Sequence, residues 1–105
     1  MQKLVFVLQL RKDMSREGAL RYWRETHGPI ASKIPGLKKY VQDQATAAPE
    51  GDLQFDGIAE LWFDSEEALQ SAMASPEWRA TIADVPNFAV LEKSWAALVD
   101  EISFV

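Results

Sequence analysis

No cysteine occurs in the 105 residues. That absence removes disulfides, thiolate nucleophiles, iron–sulfur clusters and cysteine-rich zinc sites together. Basic residues are also in short supply: eleven Lys and Arg stand against sixteen Asp and Glu, a net charge of −5. Without a cationic footprint to neutralise phosphates, nucleic acid is not an expected partner. Long apolar runs are missing as well. Leu4 to Leu10 (LVFVLQL) is interrupted by Gln9 and stopped by Arg11-Lys12, far short of the ~20 residues of a membrane helix. No small-residue cleavage site follows it, so neither a membrane span nor a signal peptide is read, and a cytoplasmic location is expected. Histidine occurs once, at position 27. A metal site would have to combine it with scattered carboxylates that show no H-E-x-x-H spacing, and none is expected. No G-x-G-x-x-G, P-loop or G-x-S-x-G element is present, which leaves a tightly bound nucleotide and a serine-hydrolase elbow without support.

What is present is a chain that is 48% hydrophobic and 26% charged. At roughly 100–200 residues per domain, this is one globular domain spanning residues 1–105. Lys3 to Leu10 reads as a strand apolar on both alternating faces, with Leu4, Phe6, Leu8 and Leu10 on one and Val5 and Val7 on the other. Ser15 is a suitable N-cap for a helix from Arg16 to Thr26 or His27, and Gly28-Pro29 is expected to stop it. Ile30 to Ile34 is expected to add one short turn. Leu37 to Thr46 has strand length, with Lys38, Tyr40, Gln42 and Gln44 on one face and Leu37, Lys39 and Val41 on the other. Ala47 to Gln54 is loop chemistry. Asp56 to Asp64 alternates as a third strand, with Gly57, Ala59, Leu61 and Phe63 opposite Ile58, Glu60 and Trp62. Ser65 opens a helix with acidic Glu66 and Glu67 in its first turn, Pro76 opens another through Trp78, and a last strand lies within Ser94–Val105, centred on Leu98–Phe104.

The order strand, helix, strand, strand, helices, strand is the α+β, ferredoxin-like βαββαβ pattern with one antiparallel sheet. Helices can cover only one face of that sheet, yet strands one and three carry bulky apolar groups on both. A homodimer packed sheet to sheet is therefore expected.

His27 follows Leu20 and Trp23 at helical spacing and so should face the sheet. There it is a candidate general acid or base, or else a residue that caps its helix. Tyr40, central on strand two, is a candidate hydroxyl donor to a carbonyl or enolate oxygen, with ordinary strand packing as the alternative. Glu60, between Ile58 and Trp62, is expected to have its pKa raised by desolvation for proton transfer, or to pair with Arg11 or Lys39. Trp23, Trp62, Trp78 and Phe88 are candidate walls of an apolar substrate pocket, or simply core.

These residues resemble the EthD family, named from ethyl tert-butyl ether degradation, within the dimeric α+β barrel superfamily. The resemblance rests on Met14-Ser15, Tyr22-Trp23, His27-Gly28-Pro29, Gly36-Leu37 with Tyr40, the run Asp56 to Phe63 (DGIAELWF), Ser75-Pro76-Glu77, and Asp84 with Phe88. It implies a homodimer with a pocket in each subunit between helices and sheet. It also adds weight to His27 and Tyr40, because related barrel isomerases and polyketide cyclases use a His and a Tyr in cofactor-free acid–base chemistry. Relatives are often labelled reductases or oxidoreductases of xenobiotic degradation, yet no element here would hold a flavin or nicotinamide. Haem-handling relatives imply only that His27 is the conceivable axial ligand. The expected function is cofactor-free chemistry of isomerase, cyclase or oxidoreductase type on an apolar carbonyl compound, with His27, Tyr40 and Glu60 catalytic. The alternatives are a non-catalytic accessory protein carrying a hydrophobic intermediate for an oxygenase, and a pathway protein paired with a different chain.

Overall fold

A computed structural model describes residues 1–105. The strands are β1 (Gln2–Leu8), β2 (Leu37–Gln44), β3 (Gly57–Phe63) and β4 (Trp95–Val99). The helices are α1 (Arg16–Tyr22), α2 (Gly28–Ala31), α3 (Glu66–Met73) and α4 (Pro76–Asp84), with a π-helical turn, Trp23–His27, joining α1 to α2. The four strands form one antiparallel sheet in the order β2-β3-β1-β4. This is the ferredoxin-like arrangement read from the sequence.

Ser15, Ser65 and Ser75 cap α1, α3 and α4, each accepting a hydrogen bond from a backbone N–H of the first turn. The expected stop at Gly28-Pro29 is corrected. Gly28 takes right-handed helical angles (φ −53°) and donates its N–H to the Trp23 carbonyl five residues back. This wider turn carries the chain past Pro29, whose missing N–H is tolerated in the first turn of α2. The turn out of the helical run falls to Gly36, whose φ of +79° suits glycine.

Two strand readings also change. A register shift between Leu37 and Lys39 pairs Leu37 with Phe63 and Lys39 with Trp62. The bulge brings Leu37 to the same side as Tyr40, against the core, and releases Lys38 toward Asp64. The last strand lies within Ser94–Val105 as expected, but as Trp95–Val99 and not Leu98–Phe104, its ladder with β1 running from Val7↔Trp95 to Lys3↔Val99.

Leu4, Leu8, Ala59, Leu61 and Phe63 of the sheet pack under Ala19, Trp23, Leu69, Ala72, Val85 and Phe88. Trp23 is 1% exposed and lies directly over β3. A Cβ added at Gly57 would stand 2.6 Å from its ring, so this position is glycine for reasons of space. The other sheet face carries Val5, Val7, Ile58, Glu60 and Trp62, and no helix of the chain covers it. Its edge strand leaves Trp95 half-exposed.

Gly57→Ala should force the Trp23 ring from its seat and destabilise the fold by about 1–3 kcal/mol. Urea unfolding followed by tryptophan fluorescence, with an unchanged m-value, measures this.

Candidate functional site

The helical run Arg16–Ala31 presents its buried side to β1 and β3, and the π turn places both Trp23 and His27 there. α4 packs beside α2 and ends at Asp84. The His27 Nδ1 lies 2.7 Å from Asp84 Oδ2. The other carboxylate oxygen, Oδ1, accepts from the Tyr22 hydroxyl at 2.6 Å and from the Asn87 amide at 3.0 Å. Phe88 closes one side of the imidazole, its ring centre 4.8 Å away.

Burial by itself would raise the Asp84 pKa, but hydrogen bonds from Tyr22, Asn87 and His27 outweigh it and hold the carboxyl below its ordinary value. Asp84 is thus an acceptor without a proton of its own, so Nδ1 must donate and Nε2 keeps a lone pair. Burial pushes the imidazole below its usual pKa, with the hydrogen bond and charge of Asp84 offsetting part of the effect. At neutral pH, His27 is an oriented, uncharged base.

A cavity of about 50 Å³ lies between the helices and the sheet. Its walls include Leu4, Phe6, Trp23, Tyr40, Leu61 and Trp78, together with His27 and Thr81. The Thr81 hydroxyl is engaged with the Glu77 carbonyl of its own helix at 2.8 Å. The chemistry available to a molecule in the cavity therefore rests with His27 and Tyr40. Burial holds the Tyr40 phenol above its usual pKa, with hydrogen bonds from Gln42 and Trp23 opposing. The phenol keeps its proton at neutral pH. No group of three His, Asp or Glu side chains converges in the structure.

Of the residues singled out in the sequence, His27, Tyr40, Trp23 and Trp78 line the cavity, and Phe88 supports the imidazole. Glu60 and Trp62 do not join them. Tyr40 is paired with Leu61 and not with Glu60, so the sheet itself stands between Glu60 and the imidazole. Glu60 forms its ion pair with Lys3 at 2.8 Å, Arg11 pairs with Asp13 instead, and Lys39 acts on Glu60 only through its charge at longer range. Its expected upward pKa shift is also corrected. Hydrogen bonding with Asp43 and Lys3 holds Glu60 down, while Asp43, hydrogen-bonded to Glu60 and partly desolvated, is pushed up to about 6. Trp62 lies beneath the ammonium groups of Lys3 and Lys39, at 4.4 and 4.9 Å, and donates its indole N–H to Glu101.

The reading of the sequence missed the roles of Asp84, Tyr22 and Asn87. One signal was available for Asp84: an acid in the last turn of a helix opposes the helix dipole and calls for a compensating donor.

Fold and site together define a ferredoxin-like α+β domain with a His–Asp pair set over an apolar cavity. The EthD domain model matches residues 11–92, and the chain belongs to the EthD family. It is 29% identical over 68 residues to an uncharacterized 11.0 kDa protein of the thcB-thcC intergenic region of Rhodococcus erythropolis; the match spans 65% of this chain and 66% of that protein. An EthD family protein from Bacillus halodurans superposes with a TM-score of 0.85 at 27% identity, covering 97% of this chain and 99% of that one. SnoaB from Streptomyces nogalater, a cofactor-independent oxygenase, shares the fold at a TM-score of 0.66 and 12% identity, covering 99% and 95%. So does a dimeric ferredoxin-like protein of unknown function from Thermobifida fusca, at 0.67 and 15%, covering 93% and 88%.

With one histidine in the chain, a single imidazole NMR signal reports its titration. It should titrate below 6.5, and lower still in Asp84→Asn, which removes the charge that favours the imidazolium. Below pH ~6.5 the unfolded chain binds a proton that native His27 refuses, so this residue makes stability fall as pH drops. Asp43 acts in the opposite sense, because its raised native pKa removes stability as pH rises from ~4 toward 6. The comparison that isolates His27 is wild type against His27→Gln. The variant should lose the His27-linked decline in stability on acidification from pH 7 to 5, measured by urea unfolding.

Proposed function

We propose that this protein is a cofactor-free acid–base enzyme acting on a small apolar carbonyl compound. The observation that carries this reading is the buried imidazole, tied at Nδ1 to an ionised carboxylate and sharing an otherwise apolar cavity with a protonated phenol. In the proposed step, a C–H bond next to the substrate carbonyl breaks and its proton passes to His27 Nε2. The electron pair moves onto the carbonyl oxygen as an enolate, which accepts a hydrogen bond from Tyr40. Asp84 stabilises the imidazolium through Nδ1–H without taking the proton. Return of the proton to the same carbon exchanges it with solvent, and return to a conjugated carbon isomerises the substrate. Neither outcome needs an oxidant. Glu60, on the far side of the sheet, has no part in this step.

The cavity is well below the ~300 Å³ of common ligand sites. A substrate of more than a few heavy atoms enters by displacing the partly exposed Trp78 and Ile82, which form the wall contributed by α4. That SnoaB is described as working without a cofactor supports the view that this fold can host such chemistry. An accessory protein carrying a hydrophobic intermediate would use the same apolar walls. It would use the His–Asp pair only to join the helices, which does not call for an imidazole lining the cavity beside a phenol.

The same reading includes a cytoplasmic homodimer joined through the uncovered sheet face. The dimeric Thermobifida relative and the half-buried Val5, Val7 and Ile58 on that face support the association. No helix of the chain is long and apolar enough to cross a membrane.

Incubating the protein in D₂O with a panel of small apolar ketones, lactones and quinone precursors should label the carbon next to the carbonyl in at least one compound. His27→Asn should slow that exchange by about 10²–10⁴-fold, and Tyr40→Phe by about 10²–10³-fold. Binding without exchange, with the His27 substitution changing affinity alone, would establish the carrier instead. Native mass spectrometry should give twice the 11.8 kDa chain, and Val7→Glu, which sets a charge between Ile58 and Trp95, should give the single chain.

A further inference from the structure

Gln42 lies two residues from Tyr40 on the helix-facing side of β2, and the chemistry above makes no use of it. Its Nε2 is 2.9 Å from the Trp23 carbonyl oxygen and 2.8 Å from the Tyr40 hydroxyl. A carbonyl oxygen only accepts, so the backbone of the π turn dictates which way round the amide sits: the NH₂ group faces Trp23. The second hydrogen of the same NH₂ is then directed at the phenol. A phenol oxygen that accepts from Gln42 keeps its own O–H for another partner, and its ring lines the cavity. The packing around the amide points the same way. A Cβ at Gly28 would stand 3.2 Å from Gln42 Nε2, so the amide reaches the Trp23 carbonyl over a residue without a side chain.

We propose that Gln42 is a positioning residue which fixes Tyr40 as a hydrogen-bond donor toward the cavity, its own amide being oriented by the Trp23 carbonyl. The catalytic consequence rests on the acid–base reading above, whereas the hydrogen-bond relay does not. Without the amide, the phenol oxygen loses the donor that fixes its orientation, its O–H is no longer held toward the cavity, and an enolate oxygen loses its donor.

The test uses the full chain labelled with ¹³C at tyrosine Cζ, which gives two signals because there are only two tyrosines; Tyr40→Phe assigns them. In both Gln42→Leu and Gln42→Glu, the Tyr40 signal should shift while that of Tyr22 stays in place. In the exchange assay, both substitutions should lower kcat by about tenfold, the effect of one hydrogen bond, with KM nearly unchanged. In the Tyr40→Phe background, neither should cause a further loss.

Gln42→Glu separates positioning from packing. It keeps the shape, but its carboxylate accepts from the phenol and donates to nothing, so a merely space-filling role would be rescued by it. It also serves if Gln42→Leu does not fold. An unmoved Tyr40 signal, or an equal loss of rate with and without the Tyr40 hydroxyl, would overturn the proposal. Absence of exchange in the wild-type protein would count against the acid–base reading and leave the NMR result to judge the relay.

Discussion

The carboxylate of Asp84 is the point on which the helical layer of this domain is organised. An acid at the C-terminal end of α4 opposes the dipole of its own helix and loses hydration by partial burial. Three donors offset those penalties, and they come from different places: Tyr22 at the end of α1, His27 in the π turn, and Asn87 in the turn after α4. Satisfying one carboxylate therefore fixes how two helical segments meet. Phe88 fills the space beneath, stacking with Tyr22 and Trp23 and meeting the imidazole at a tilt. The same interaction sets the tautomer of the one histidine. Structure and chemistry are held by a single group, so neither can shift without the other.

Much of the fold was legible in the sequence because it is written in local periods. The alternation in β1 and β3, the serine caps and the Pro76 start each depend on a few neighbouring residues, and the structure follows them. The failures share a different character. Gly28-Pro29 has the composition of a helix stop, and only the hydrogen bond from Gly28 to the Trp23 carbonyl shows that the helix continues. The Leu37 bulge exists because an apolar side chain gains burial by breaking register, a choice settled by the neighbouring strand. Alternation put Tyr40 and Glu60 each on a face of its own strand, but the relation between those faces needed the pairing of Tyr40 with Leu61. His27 and Tyr40 were visible as candidates from residue type and place. The role of Asp84 was not read, because the helix-dipole signal says only that a donor is needed, and two of its three donors lie 57 and 62 residues away.

The sheet separates two kinds of chemistry. On the helix side, apolar walls enclose an imidazole and a phenol. On the other, Lys3, Lys39, Asp43, Glu60 and Glu101 surround the Trp62 indole with charge. The side chains of Lys3 and Glu60 are only 13% and 21% exposed even with that face uncovered. All three carboxylates of that patch and the histidine are shifted from their ordinary values, yet for unrelated reasons: hydrogen bonds on one face, loss of water on the other.

The π turn gives the chain an uneven tolerance to genetic change. Arg24, Glu25 and Thr26 are exposed, and Arg24 and Glu25 meet across a long ion pair, so their side chains can be exchanged at little expense to the core. The number of residues between Trp23 and Gly28 has no such freedom. Removing any one would restore regular α-helical winding, and it would rotate His27 away from Asp84 or draw the Trp23 carbonyl away from Gln42. In this stretch, spelling can drift while length is held, and a single-codon deletion at a solvent-exposed position would do more harm than most substitutions in the buried core.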